Sequence, residues 1–165
     1  MSDKKESTSE RLNRSSYIFL NLTSSALSSE IERLCLDENL TEAHFRILWV
    51  LCRESSEEGR AMGEIADGLI NRAADLTRLV DKLEKMGLVV RERSPDDRRR
   101  IVARSTSQGR KTFSRLSHKI RSLHVDQWDA LTQAEQRQLI QLLDKVLTSR
   151  ASSADESWLL RGGTK

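Results

Sequence analysis

The stretch from Met62 to Arg104 constrains this chain more than any other. It reads as a short apolar helix, a turn, a longer helix stopped by a glycine, and two short basic strands around a tip. In the longer helix Leu76, Leu79, Val80, Leu83 and Met86 recur at helical spacing and form one apolar stripe. Ala74, Arg78, Asp81, Lys82 and Lys85 lie opposite, with Asn71, Asp75 and Thr77 at the flanks. The spacing predicts a start at Asn71, whose side chain suits an N-cap, and a stop at Gly87, where a left-handed residue ends a helix. The shorter helix, Met62 to Ile70, has its own stripe in Met62, Ile65, Ala66 and Leu69. Two stripes joined by so short a turn must pack on each other and on a further layer.

After Gly87 the period changes. Leu88 to Arg93 reads as a strand centred on Val89 and Val90, and Ser94-Pro95-Asp96-Asp97 is turn chemistry. Arg98, Arg99 and Arg100 crowd the tip, and Ile101-Val102-Ala103 carries the return strand. An arginine run is often only a solvated face. Here it sits on a hairpin tip after a basic helix, where guanidinium groups can reach phosphates or a narrow minor groove. Eight basic and three acidic residues between Gly87 and Lys111 leave a local excess of five, larger than the +3 of the whole chain. A positive field gathered in one place is the electrostatic footprint of duplex binding.

These residues resemble a known family. Gly87-Leu88-Val89-Val90-Arg91, Pro95-Asp96-Asp97-Arg98-Arg99 and Thr106-Ser107-Gln108-Gly109 match the wing pattern of the multiple antibiotic resistance regulator (MarR) family. Leu76 to Glu84 is similar to that family's recognition helix, and the likeness spans about residues 12 to 148. The resemblance implies a mainly α fold with a small β-hairpin wing, a winged helix-turn-helix flanked by N- and C-terminal dimerisation helices. It implies that Thr77 and Arg78 face the major groove, that Arg98 and Arg99 belong to the wing, and that Asp97 braces a wing arginine. Ala103 and Ser105 stand where the family has larger apolar residues, which predicts a weakly packed return strand. Asp75 stands where the family often has Ser or Thr. Its carboxylate is either repelled by phosphates or accepts from a cytosine amino group.

The rest of the chain frames this lobe. Residues 1–11 are polar and read as disordered. A long helix is expected from Leu12 to about Leu36, and a second, apolar nearly all round, from Glu42 to about Glu54, with Thr41 as its cap. Beyond the lobe, residues 107–130 read as helical. Thr132 to Glu135 fits a capping box that opens a last helix to about Thr148. The domain is thus 12–148, with the DNA-reading lobe at 62–105, dimerisation helices at 12–36 and 107–148, and a polar tail at 149–165. The outer helices carry more apolar surface than one small domain covers. They either form a helical layer of a monomer or interdigitate in a homodimer, as the resemblance implies.

Enzyme classes find no support. No G-x-S-x-G elbow is present, and the spacing of Gly63 and Gly68 lacks the Lys-Ser/Thr of a phosphate loop. His44, His118 and His124 lack metal-pair spacing, so no metal or cofactor is expected, and His44 near a helix start reads as a cap or surface residue. The first residues carry no apolar leader, and no run approaches the roughly 20 apolar residues of a membrane span, which points to a cytoplasmic chain with reduced Cys35 and Cys52.

The expectation is a homodimeric transcriptional repressor that reads a near-palindromic duplex operator through Asn71, Arg72, Ala74, Asp75, Thr77, Arg78, Lys82, Arg98, Arg99 and Arg100. The resemblance adds release by a small aromatic or anionic effector, with His44, Arg46, Trp49, Arg115 and His118 as lining residues. Two rivals stand beside it: a winged-helix module that binds protein, and a redox-responsive regulator acting through Cys35.

Overall fold

The computed structural model describes residues 7–53, 59–69, 75–94 and 99–150. In chain order it holds α1 (Thr8–Leu36), α2 (Glu42–Arg53), β1 (Arg60–Ala61), α3 (Met62–Asp67), α4 (Leu76–Lys85), β2 (Val89–Arg93), β3 (Ile101–Ser105), α5 (Ser107–Gln127) and α6 (Gln133–Arg150). This is the mainly helical chain with a small antiparallel sheet that the sequence predicts.

Helix α1 starts at Thr8, earlier than the predicted Leu12. Ser7 accepts from the Glu10 N–H and the Glu10 carboxylate accepts from the Ser7 N–H at 2.7 Å, a complete capping box inside a segment whose composition predicts disorder. Residues 1–6 lie outside the described residues. The helix ends at a clasp: Asn39 takes a φ of 57°, its N–H donates to Leu36 O, and the Leu40 N–H donates to Cys35 O at 3.0 Å. Cys35 and Leu40 are fully buried beneath it. Helix α4 ends the same way. Gly87 takes a φ of 69°, the Gly87 N–H donates to Glu84 O, and the Leu88 N–H donates to Leu83 O, over buried Leu83 and Leu88.

Helix α2 is the central strut. Ile47, Leu48, Val50 and Leu51 are buried in a core with Ile65, Val80, Leu83, Val89, Ala103 and Leu116, and Phe45 stacks on Phe113 of α5. Thr41 caps α2 as predicted, with His44 where a capping box has Glu. The Thr41 N–H donates to His44 Nδ1 at 3.1 Å, and Thr41 Oγ1 faces the His44 N–H at 3.4 Å. His44 is therefore a buried cap, and among the described residues its Nε2 is buried without a partner. A second cap comes from α1, where the Glu32 carboxylate accepts from the Glu42 N–H.

The sheet runs β1-β3-β2, antiparallel throughout, with Val89 opposite Ser105 and Arg93 opposite Ile101. Strand β1 is absent from the sequence-based expectation, because two residues carry no alternation. The return strand is tightly packed, contrary to the expectation: Val102, Ala103 and Ser105 are all buried. Small residues there admit close neighbours, and the Ser105 hydroxyl partly offsets the burial that raises the Cys52 thiol of α2. The same closeness recurs where α5 begins. Thr106 Oγ1 donates to Gly87 O at 2.7 Å and accepts from the Gly109 N–H at 3.0 Å, while the Thr106 N–H donates to Leu88 O. A Cβ on Gly109 would lie 2.0 Å from Leu88 O, so only glycine fits. The T-x-x-G run is thus a backbone joint between α5 and the turn after α4.

The outer helices are largely bare. In α1 every residue from Thr8 to Ala26 is exposed, including Tyr17 at 70% and Phe19 at 69%. No residue of α6 is buried, and Ile140, Leu142 and Val146 all stand open. The second half of α1 does pack: Gln127 of α5 donates to Leu27 O at 3.2 Å and to the Glu30 carboxylate at 2.8 Å.

Gly109→Ala should destabilise the chain by about 2–4 kcal/mol, because backbone must move to admit the Cβ. Gly63→Ala, with nothing within 4 Å of an added Cβ, should be neutral or stabilising by up to about 1 kcal/mol. Urea unfolding of both variants checks the pair. Burial pushes the His44 imidazole down from 6.5 to about 4, aided by the Lys82 charge and opposed by Glu32. The unfolded chain then binds a proton near pH 6.5 that the fold refuses until about pH 4. This contribution to stability is complete above that window and is lost across it as pH falls, by up to roughly 3 kcal/mol. At fixed protein concentration, His44→Asn should flatten the decline in a pH series of melts.

Candidate nucleic-acid interface

Helix α4 buries Val80 and Leu83, sets Leu76, Leu79 and Met86 against the core, and turns Asp75, Thr77, Arg78, Lys82 and Lys85 outward. The helix is described from Leu76, with Asp75 at the N-cap position. Asn71, predicted as the cap, lies outside the described residues with Arg72 and Ala74. Arg78, Thr77 and Lys82 do share an exposed side, and Lys85 joins them, which helical spacing from Arg78 and Lys82 already implies.

What fixes this face against the wing is Arg91 of β2. Its guanidinium donates to the Asp81 carboxylate, to Glu84 at 3.2 Å and to Thr77 O at 3.1 Å, while its backbone N–H donates to the other Glu84 oxygen at 3.1 Å. Arg91 therefore clamps α4 to β2, and its charge is spent inside the lobe. The clamp engages Asp81 and Glu84, so these two acids of α4 are paired with Arg91. Sequence reasoning missed this role. The signal was the acid pair Asp81 and Glu84 one turn apart on α4, facing the first strand after it.

The wing is closed at its base by the Ser94 N–H donating to Arg100 O at 2.8 Å. Its tip, with Asp97 and Arg98, lies outside the described residues. Arg99 is exposed. Arg100, expected as a DNA contact, donates to the Glu64 carboxylate at 3.1 Å, and the other oxygen of Glu64 accepts from the Ala61 N–H at 3.0 Å. This ties the wing to the start of α3. Arg104 lies 3.5 Å from Glu92, and Arg110 donates to Ser105 O, so both guanidinium groups are turned to partners within the protein.

Of the five residues named for an effector, Trp49 lines a cleft among the described residues. That cleft of about 340 Å³ is shared with Val50, Arg53, Arg60, Glu64, Asp67 and Gly68, and the Arg53 guanidinium sits 4.7 Å over the Trp49 ring. His44 is spent on its cap, and Arg46 pairs with Glu42. Arg115 forms a two-pronged pair with Glu38 at 2.7 Å on each arm, which lowers the Glu38 carboxyl and raises Arg115. His118 is exposed on α5. Among the described residues no group of three or more His, Cys, Asp or Glu is placed to hold a metal ion, and no helix is long and apolar enough to cross a membrane.

Cys35 is fully buried, and burial, with Glu32 and Glu42, pushes its thiol up to about 12 against the opposing charge of Arg46. Since the thiolate is the reactive form, burial and the raised thiol make Cys35 a packing residue in this arrangement and give the redox reading no support. Cys52 is also raised by burial.

The chain resembles known proteins along most of its length. The model of the MarR family matches residues 38–100. The HTH-type transcriptional regulator YpoP of Bacillus subtilis is 31% identical over 121 residues, which are 73% of this chain and 82% of that protein. A crystal structure of a MarR transcription factor from Planctomyces limnophilus is 31% identical and superposes with a TM-score of 0.62, covering 79% of this chain and 94% of that one. The S. aureus MepR-DNA complex shares the fold at a TM-score of 0.71 and 22% identity, covering 81% and 96%.

Arg91→Met should destabilise the chain by about 2–4 kcal/mol, since it leaves two half-buried carboxylates facing each other. Adding Asp81→Asn and Glu84→Gln in that background should restore part of the loss. Chemical denaturation of the single and triple variants measures both steps.

Proposed function

This chain belongs to the MarR family of DNA-binding transcriptional regulators, and on that premise we propose that it acts as a homodimeric repressor. The observation that carries the reading is the bare apolar surface of α1 and α6. Leu12, Tyr17, Phe19 and Leu22 on one, and Ile140, Leu142, Leu143 and Val146 on the other, stand open to solvent in a single chain. A surface of that extent needs a partner, and a second copy supplies it at once by two-fold symmetry. Residues 12–36 and 107–148 then hold the dimer, and residues 62–105 read DNA.

Two copies of α4 would meet successive major-groove faces about 10 bp apart, so the operator is a near-palindrome. Arg78 is the bidentate contact to guanine. Thr77 and Lys82 assist it, and Asn71, Arg72 and Ala74 extend the face toward the preceding turn. Arg98 and Arg99 place the wing on phosphates or in the minor groove, braced by Asp97. Arg100 contributes by holding the wing on Glu64.

Release follows from a small aromatic or anionic effector that prefers one spacing of the two lobes. The cleft beside Trp49, lined by Arg53 and Arg60 together with Glu64 and Asp67, is the concave site among the described residues that supports this reading. Trp49 is the member of the five effector candidates that we retain.

A gel shift with the gene's own upstream region, joined to light scattering on the purified chain, tests the whole reading. Two chains per particle are expected, with affinity falling steeply as salt rises. Arg78→Ala should cost about 1–3 kcal/mol and relax one base position. Leu143→Glu with Val146→Glu would be nearly silent in a monomer, where both are exposed. In the dimer it should split the particle and abolish the shift. A single chain that ignores its promoter at low salt ends the proposal.

A further inference from the structure

Three acids lie between Asp75 and Lys85 on a helix offered to a polyanion. Arg91 engages Asp81 and Glu84. Asp75 is the third, and it stands on the exposed side with Arg78. At an N-cap a carboxylate ordinarily accepts from the backbone N–H groups of the first turn. Here the N-cap backbone, at φ −133° and ψ 37°, leaves Asp75 with no such bond. Its Oδ2 lies instead 3.5 Å from Nη1 of Arg78, with the side chains 61% and 85% exposed. Burial holds neither group, and an exposed pair three residues apart adds little to stability. Its use is therefore to be sought where the helix meets DNA.

We propose that Asp75 is a positioning residue that aims the Arg78 guanidinium at a single guanine and lowers this regulator's affinity for all other DNA. The inference rests on the reading of α4 as the DNA-reading helix. A guanidinium is planar and presents its donors on separate edges. With Nη1 turned to the carboxylate, the edge formed by Nε and Nη2 points two parallel donors outward, which is the pattern that O6 and N7 of guanine accept. Without the carboxylate, Arg78 is a mobile cation that any phosphate satisfies. The carboxylate also repels phosphates at every site, cognate or not, but only at the cognate base does the oriented guanidinium offset that repulsion. Specificity is a difference of affinities, and Asp75 widens it by weakening the unwanted member.

The test is fragment selection followed by titration on the selected operator, on its single-base variants and on unrelated duplex. It uses the full-length wild type and the variants Asp75→Asn, Asp75→Ser and Arg78→Ala. Asp75→Asn should bind unrelated duplex about 3–10-fold more tightly and steepen its salt dependence by about one released ion. At the base pair that Arg78→Ala relaxes, its discrimination should fall about tenfold. Serine is a good N-cap, so a capping role would be rescued by Asp75→Ser, whereas an aiming role would not. The proposal is overturned if Asp75→Ser restores wild-type discrimination, or if both variants leave affinity for unrelated duplex unchanged. It is equally overturned if they alter preference at a different base pair, as a direct cytosine contact would. Failure of the underlying reading looks different: the wild type then selects no sequence, or Arg78→Ala keeps the full base preference.

Discussion

One guanidinium settles how the reading surface of this protein is held. Arg91 reaches from β2 to two carboxylates and a carbonyl of α4, and its own N–H returns to one of those carboxylates. A planar group with several donors can tie a helix to a strand in one orientation, where an ammonium would act as a point charge. Helix α4 and strand β2 are thereby bonded in one relative orientation. The backbone joint of Thr106 with Gly87 and Leu88 extends the connection to α5, and Glu64 with Arg100 extends it to α3. Arg91, Arg100, Arg104 and Arg110 thus bond within the protein, while Arg78, Lys82 and Lys85 of α4 and Arg93 and Arg99 of the wing are exposed.

That division explains what can be read from the residues alone. Features whose partners lie within a turn are legible: the stop at Gly87, the cap at Thr41 and the box at Thr132 each need only three to five consecutive residues. Glu135 duly accepts from the Thr132 N–H at 2.8 Å. Features whose partners lie far off are not. The bond of Arg100 to Glu64 joins residues 36 apart, so no local pattern announces it. Ala103 and Ser105 read as poor packers because their small size makes sense only beside α2 and the start of α5. Strand β1 is too short to show a period, and the polar opening residues hide the Ser7–Glu10 box. The effector residues follow from side-chain type, and type does not locate a cavity.

The two ends of the molecule follow opposite rules. The lobe around α2 is closed and pairs its polar groups internally, with His44 Nε2 and Arg104 Nε as buried exceptions among the described residues. The arms are open and apolar, built from the first half of α1 and from α6. An internal pair, Glu38 with Arg115, joins the turn after α1 to α5.

The clasps at the ends of α1 and α4 bear on the order in which the chain assembles. Each closes within six consecutive residues, so its entropic cost is small and it can form within microseconds of synthesis. The arms have no such shortcut, for the whole lobe lies in the chain between the first half of α1 and α6. During synthesis the bare half of α1 leaves the ribosome well before α6 is made. This interval of naked grease is the period in which a chaperone has the most to shield.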